Sequence, residues 1–280
     1  MSLKIGHITY ANCAPFFHYL AASGFVGEII KGVPAELNQM LAAGEIDICP
    51  ASSIEYALHS DDYRILPGHS ISSIGPVQSV LLFSDLPLSG LNGVPISITG
   101  ESATSVALLR VVLQEFYQLD NIICQKIDTI GNADLNANQP LLLIGDRALK
   151  ARLNKAAAGT VIDLGELWYH FTGLPFVFAL WIVKRLVAEE RPEEVAEFRS
   201  QLDHSRNKAF ASLDKLASES PEKAWMGVDG LAEYWRHVSY DLDPAHIEGL
   251  RCFYLLLEKH GLIEVSPEIC FFSDQSNEEK

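Results

Sequence analysis

The feature that most limits what this chain can fold into is its rhythm. Short apolar runs that suit buried strands alternate with stretches whose apolar residues recur at helical spacing. "LKIGHIT" (3–9), "EIDICP" (45–50), "VQSVLLFS" (77–84), "VPISIT" (94–99), "IICQKID" (122–128), "PLLLIG" (140–145) and "TVIDLG" (160–165) read as strands. "CAPFFHYLAAS", "PAELNQMLAAG", "SSIEYALHS", "DRALKARLN" and "ELWYHF" read as helices between them. Pro34 opens one of these, and Gly24 and Gly44 stop two. Such alternation predicts an α/β chain with mostly parallel sheets and helices on both faces.

Two segments interrupt the rhythm. "DLPLSGLNGVP" (85–95) is rich in Pro and Gly and predicts a crossing between lobes near 85–92. "TGLPFVFALWIV" reads as a turn and a long apolar strand, a return crossing near 174–182. An outer lobe of 1–88 plus 178–280 and an inserted inner lobe of 89–177 follow. From 184 onward the pattern is helical, with Val195, Phe198 and Leu202 on one stripe and "DPAHIEG" as an Asp-Pro helix start. Trp225 and Trp235 either cover the outer lobe or form the seam of a homodimer. The polar tail "SDQSNEEK" is expected to fray.

Two α/β lobes joined by a double hinge leave a cleft. In open α/β sheets, ligands sit at the carboxyl ends of the strands. Four loops meet there: "TYANCAP", "PASSIE", "TGESATS" and "IGDRA".

The chain carries a formal charge of −15 over 280 residues. Nucleic-acid binding needs clustered Lys and Arg to neutralise phosphates, so that function class is excluded. A small anion is not, because helix N-termini hold anions locally. The five cysteines are spread without a C-x-x-C pair, which argues against a metal site or a disulfide framework. The N-terminus lacks an apolar h-region and the run 174–183 is too short to span a bilayer. A cytoplasmic protein without membrane partners is expected.

The hydroxyls Ser102, Thr104 and Ser105 enter a helix expected over 103–117 and suit a carboxylate. One of Ser102 and Thr104 is expected to cap that helix, leaving the others for ligand. Ser52 and Ser53 start another helix, one as cap and one as a second anion contact. Asp146 is most simply a cap as well, beside Gly145 in the fourth loop. Asn12 is either a turn asparagine or an amide that bonds a carboxylate or hydroxyl. Ser79 either satisfies a neighbouring carbonyl or faces the cleft, since strand alternation would put Val77, Ser79 and Leu81 on one face. No histidine falls in a convergent loop, and Cys13 reads as a small packing side chain.

The segments "IGHITYANCAPFF", "GEIDICPASSIEYA", "SISSIGPVQSVLLFS", "GESATSVALL", "LLLIGDRAL" and "DLGELWYHFTGLPFVFALW" together resemble the chorismate dehydratases of the futalosine-type menaquinone pathway, in that family's order over residues 5–182. The resemblance implies a periplasmic-binding-protein type II-like fold used as an enzyme. It implies a lyase reaction, loss of water from chorismate to give 3-[(1-carboxyvinyl)oxy]benzoate, with neither metal nor organic cofactor. It favours Asn12 and Ser79 as catalytic groups and the hydroxyls, Gly145 and Asp146 as substrate contacts. The sister family, the dihydroxynaphthoate synthases, carries a histidine in an Ile-His-Glu context where this chain reads Ile144-Gly145-Asp146. A non-catalytic anion-binding protein with the same cleft is the alternative from another class.

Overall fold

A computed structural model describes residues 2–100, 103–127, 139–154 and 159–273. Two sheets organise them. The first has six strands in the order β11-β4-β10-β3-β1-β2: β1 (Lys4–Ile8), β2 (Glu28–Gly32), β3 (Ile48–Ser52), β4 (Tyr63–Ser73), β10 (Phe176–Lys184) and β11 (Val238–Ser239). The second has five in the order β7-β6-β8-β5-β9: β5 (Val80–Ser84), β6 (Pro95–Thr99), β7 (Ile123–Ile127), β8 (Leu141–Ile144) and β9 (Thr160–Asp163). β3, β5 and β8 are buried along their whole length, which is why they read as continuous apolar runs.

Sheet membership corrects the expected crossings. β5 belongs to the second sheet, so the chain changes sheet at 74–79, ahead of β5, rather than at 85–92. It returns at 173–175, ahead of β10. Neither sheet is mostly parallel. β10 runs antiparallel to β3 and β4, and β5 runs antiparallel to β8 and β9. A parallel neighbour needs a crossover helix that carries the chain back to the same end of the sheet. No helix precedes β5 within its crossing, and Val80 enters opposite Ile144, the last residue of β8. The crossing strands therefore enter from the carboxyl ends, which puts both crossings on the cleft side.

Helix boundaries follow local chemistry. The Pro34–Ala43 helix has Pro34 in its first turn and ends on Gly44 at φ 74°. The Pro244–Lys259 helix is capped by Asp243, which accepts the N–H groups of Ala245 and His246. That helix lies tight against the return crossing. A Cβ on Gly249 would stand 2.0 Å from the Pro175 carbonyl oxygen, so only glycine fits there. The amphipathic C-terminal stripe breaks at Ala211–Ser212 between the Pro192–Phe210 and Leu213–Glu219 helices. The Val228–His237 helix buries Leu231, Tyr234 and Trp235 on one face. Trp235 is fully buried in its own chain, and Trp225 packs under the Lys150 ammonium, 4.7 Å away. Trp235 is thus a core residue of its own chain, and Trp225 is half-buried. No helix among the described residues is long and apolar enough to cross a membrane, and the apolar run 174–183 lies almost entirely in β10. The tail 274–280 lies outside the described residues.

His7 illustrates the histidines outside the cleft. It stacks on Phe17 with ring centroids 3.7 Å apart. Burial, helped by the Lys31 charge, holds its imidazole down at about 4. An unfolded histidine titrates near 6.5. As the pH falls from there towards 4, the unfolded chain takes up a proton that the folded chain refuses. This group therefore contributes stability that is present above that window and lost within it. The expected loss is about 2 kcal/mol after allowing for partial exposure. Urea midpoints across that range should show it, and a His7→Phe variant should lack this part of the slope.

Candidate functional site

Described residues of the four loops meet: Tyr10 and Asn12, Ser52, Ser105, and Ile144 with Gly145. Between them lies a narrow crevice with about 60 Å³ of room for water-sized molecules. Its polar lining is Tyr10, Asn12, Ser52, Ser79, Ser105 and Gly145, against apolar walls that include Ile71, Val80 and Phe178. Among the described residues no charged side chain and no histidine lines it. The crevice thus presents dipoles rather than charges, which suits a small anion that must be held without a permanent counter-ion.

Asn12 is fixed by its neighbour. The Ala11 N–H donates to Asp146 Oδ1 at 2.9 Å, and the Ala11 carbonyl accepts from Trp235 Nε1 at 2.8 Å. With the backbone of Ala11 held on both sides, the next residue lines the crevice. Its Oδ1 is buried and has no hydrogen-bond partner among the described residues. A buried carbonyl oxygen of this kind is costly unless something donates to it. Asp146 is consequently not the cap of its own helix. The Gly145–Leu153 helix starts after Ile144 without a side-chain cap, and the Asp146 carboxylate instead joins the second sheet's helix to the β1 loop. Burial raises its carboxyl, and the Ala11 N–H offsets part of that rise.

Ser79 is the last residue of the crossing, not part of β5. The strand alternation expected for Val77, Ser79 and Leu81 therefore does not apply, because extended pairing begins at Val80. Ser79 reaches the crevice through a shaped loop. Gln78 sits at φ 65°, a left-handed conformation unusual for a side-chain-bearing residue. Asp163 holds this loop: its carboxylate accepts from Val77 N (3.1 Å) and Gln78 N (2.6 Å), and also caps the Leu164–Thr172 helix through Gly165 N and Glu166 N. Burial raises the Asp163 carboxyl, and these four N–H groups work against that rise. Ser79 Oγ accepts from the Tyr234 hydroxyl at 3.0 Å and lies 3.4 Å from the Val77 carbonyl, to which it donates. Its main-chain carbonyl accepts from Gly145 N at 2.8 Å.

The hydroxyl cluster divides. Ser52 and Ser105 line the crevice, and Ser52 Oγ accepts from Asn38 Nδ2 at 3.0 Å rather than capping a helix. Ser53 and Thr104 are fully buried and meet each other instead, with Oγ and Oγ1 3.4 Å apart. Thr104 Oγ1 accepts the Ile54 N–H at 3.1 Å, so it caps the Ser53–Leu58 helix of the first sheet rather than the helix it belongs to. Neither lines the crevice: they latch the two halves together behind it. The hydroxyl helix itself is α-helical over Ala103–Val111 and continues as a π-turn over Val112–Phe116. Ser102 lies outside the described residues.

Gly145 decides the shape of one wall. It sits at φ 56°, and a Cβ there would stand 2.9 Å from the Tyr10 ring. No larger side chain fits that position with Tyr10 in place. Cys13 is fully buried, and burial with the nearby Asp146 pushes its thiol well up, which keeps it protonated. Its neighbourhood makes it a packing residue. Sequence reasoning assigns no role to Tyr10, Asp163 or Tyr234 and none in the site to Trp235. Tyr10 lies inside the quoted loop "TYANCAP" and Asp163 heads the segment "DLGELWYHF", whereas Tyr234 and Trp235 carry no local motif; the reach of Asp163 to 77–78 is set by the fold.

The family model described as Menaquinone biosynthesis matches residues 3–259. A chorismate dehydratase from Thermus thermophilus is 33% identical over 264 residues, covering 89% of this chain and 93% of that protein. A 1,4-dihydroxy-6-naphtoate synthase from the same organism is 23% identical, over 96% of this chain and 99% of that protein. The periplasmic aliphatic sulphonate binding protein SsuA from Escherichia coli superposes with a TM-score of 0.67 at 15% identity, covering 99% of this chain and 94% of that one. That likeness, with the two sheets and the two crossings, gives the chain a two-lobed periplasmic-binding-protein-like α/β fold. Since the matched stretch runs through every loop of the crevice and on into the C-terminal helices, the chain belongs to the menaquinone biosynthesis family.

Proposed function

We infer that this chain is a lyase that dehydrates chorismate to 3-[(1-carboxyvinyl)oxy]benzoate. The observation that carries the reading is the crevice itself, lined by neutral donors and acceptors with no basic side chain among the described residues. Chorismate supplies what such a site lacks. Its C3 proton is vinylogous to the ring carboxylate, and loss of that proton with the C4 hydroxyl makes an aromatic ring. Hydroxyl and N–H donors on the ring carboxylate stabilise the charge that develops there. The enolpyruvyl carboxylate, folded over the ring, takes the C3 proton. The C–H electron pair passes into the ring and the C4–O bond breaks. The departing hydroxide recovers the proton and leaves as water. Asn12 and Ser79 orient the carboxylate and assist the leaving oxygen, while Ser52, Ser105 and the Gly145 turn shape the pocket.

Two lobes hinged on 74–79 and 173–175 would open for entry and close around the substrate, excluding water and fixing the reacting conformer. The Gly145 geometry weighs against the naphthoate synthase reading. A histidine at 145 would meet the Tyr10 ring, so this wall is not built for the base that the sister family carries there.

Incubation with chorismate tests the reading. The expected result is loss of the diene absorbance and appearance of the carboxyvinyloxybenzoate. Binding without spectral change would instead support a non-catalytic anion-binding protein.

A further inference from the structure

We propose that Tyr234 is a positioning residue for the dehydration, holding the Ser79 hydroxyl so that its hydrogen is presented to the substrate. The proposal rests on the lyase reading above.

Tyr234 comes from the Val228–His237 helix, 155 residues away from Ser79 in sequence, and its side chain is 1% exposed. Its phenol is the hydrogen-bond donor to Ser79 Oγ at 3.0 Å. Burial, followed by the nearby Asp146, Cys13 and Asp163, pushes the phenol well above its ordinary value, only partly countered by the Ser79 contact. It therefore stays protonated, and a protonated phenol has one hydrogen to give.

A serine hydroxyl has one hydrogen and rotates to suit its surroundings. With Tyr234 donating into an Oγ lone pair, that rotation is restricted. The Ser79 hydrogen must point elsewhere, and its acceptor within the chain is the Val77 carbonyl at 3.4 Å, a long contact. A bond that weak is readily exchanged for one to an oxygen atom bound in the crevice. As negative charge builds on the leaving oxygen, Ser79 donates more strongly to it, and Tyr234 stabilises the charge drawn onto Oγ. Chained hydrogen bonds strengthen one another in this way inside a protein. The Tyr234 ring itself does not line the crevice, so its effect on the reaction passes through Ser79.

The test is a double-mutant cycle on chorismate turnover, using Tyr234→Phe, Ser79→Ala and the pair. Tyr234→Phe keeps the ring and removes the donor. Its kcat is expected to fall about ten-fold with KM within about two-fold. In the Ser79→Ala background the same change is expected to cost nothing further, because the group it acts through is gone. Equal losses in both backgrounds, or a change confined to KM, would overturn the proposal. A second measurement does not need the Phe variant to fold. With 3-fluorotyrosine in place of Tyr234, the fluorine resonance is expected to shift when the carboxyvinyloxybenzoate product binds, and to lose that shift in Ser79→Ala. A resonance that stays put, or moves equally in both proteins, also overturns it. If the parent protein itself fails to consume chorismate, the lyase reading falls first. Turnover by the parent with an additive cycle removes only the role of Tyr234.

Discussion

Replacing Asn12 by alanine is expected to lower kcat for chorismate by roughly 10²–10³-fold, the range seen when one preorganised donor to a developing charge is removed. The backbone at this point is held independently of the side chain. Asp146 fixes the Ala11 N–H and Trp235 fixes the Ala11 carbonyl. The variant should therefore fold, with a melting temperature close to the parent's, since deleting a buried oxygen that has no partner in the chain removes an uncompensated cost. Ser79→Ala should behave similarly in kcat. Asn12→Asp should do something different: it places a carboxylate in a site built for a dicarboxylate, so KM should rise steeply. Steady-state kinetics of the three variants separate these outcomes. Parent-like turnover by both alanine variants would remove Asn12 and Ser79 from the chemistry.

The second large effect is on stability. Asp163→Ala strips one carboxylate from four backbone N–H groups: Val77 and Gln78 in the crossing, and Gly165 and Glu166 at the start of a helix. Each orphaned buried N–H costs about 1–3 kcal/mol unless water reaches it, and loss of a helix cap alone costs about 0.5–2 kcal/mol. With partial rescue by water the expected loss is roughly 3–5 kcal/mol, or on the order of 5–9 °C in melting temperature for a chain of this size. Asp163→Asn should be milder yet still damaging. One carboxylate oxygen serves Val77, Gly165 and Glu166 and the other serves Gln78, so the amide nitrogen must face at least one N–H. Because the same carboxylate shapes the crossing that ends in Ser79, the Asn variant should also lose turnover while still folded. Calorimetry and kinetics on one preparation check both. A variant with parent stability would show that the crossing is held by other contacts.

The two effects have a common source. Asp163 is buried and Asp146 half-buried; both sit at helix starts, and both spend hydrogen-bonding capacity on distant backbone. Such residues look like ordinary caps in a sequence, because Asp before a helix is what a cap looks like. Asp163 is a cap and also a clamp. Asp146 is a clamp only. Thr104 shows the same ambiguity in a neutral residue: it caps a helix, but one on the other side of the cleft.

Much of the architecture was legible without coordinates. Periodicity located β3 and β8, because strands buried along their whole length read as apolar runs, and β6 by its alternation; helices repeat at 3.6 residues. Punctuation by Pro34, Gly44 and Asp243 located helix ends, because those residues act within one turn of themselves. The loops that meet at the crevice were legible for the same reason, since a strand's carboxyl end is known once the strand is known. Sheet membership was not. "VQSVLLFS" reads as one apolar strand in either lobe, and only pairing with Leu141–Ile144 shows which sheet takes it and where the crossing falls.

What the sequence determined by itself is local: which segments extend or coil, that the cleft loops carry hydroxyls and amides in place of charges, and which family the ordered motifs resemble. What tertiary structure decided is which of those polar groups line the crevice and which are turned away from it. Ser53 and Thr104 bond to each other, whereas Ser52 and Ser105 line the crevice, though the four look alike on paper. The physical reason is that a hydroxyl rotates to meet a partner at any distance along the chain, so its partner is fixed only when the two sheets come together. Tyr234, 155 residues away from Ser79 and without a motif around it, is the plainest case.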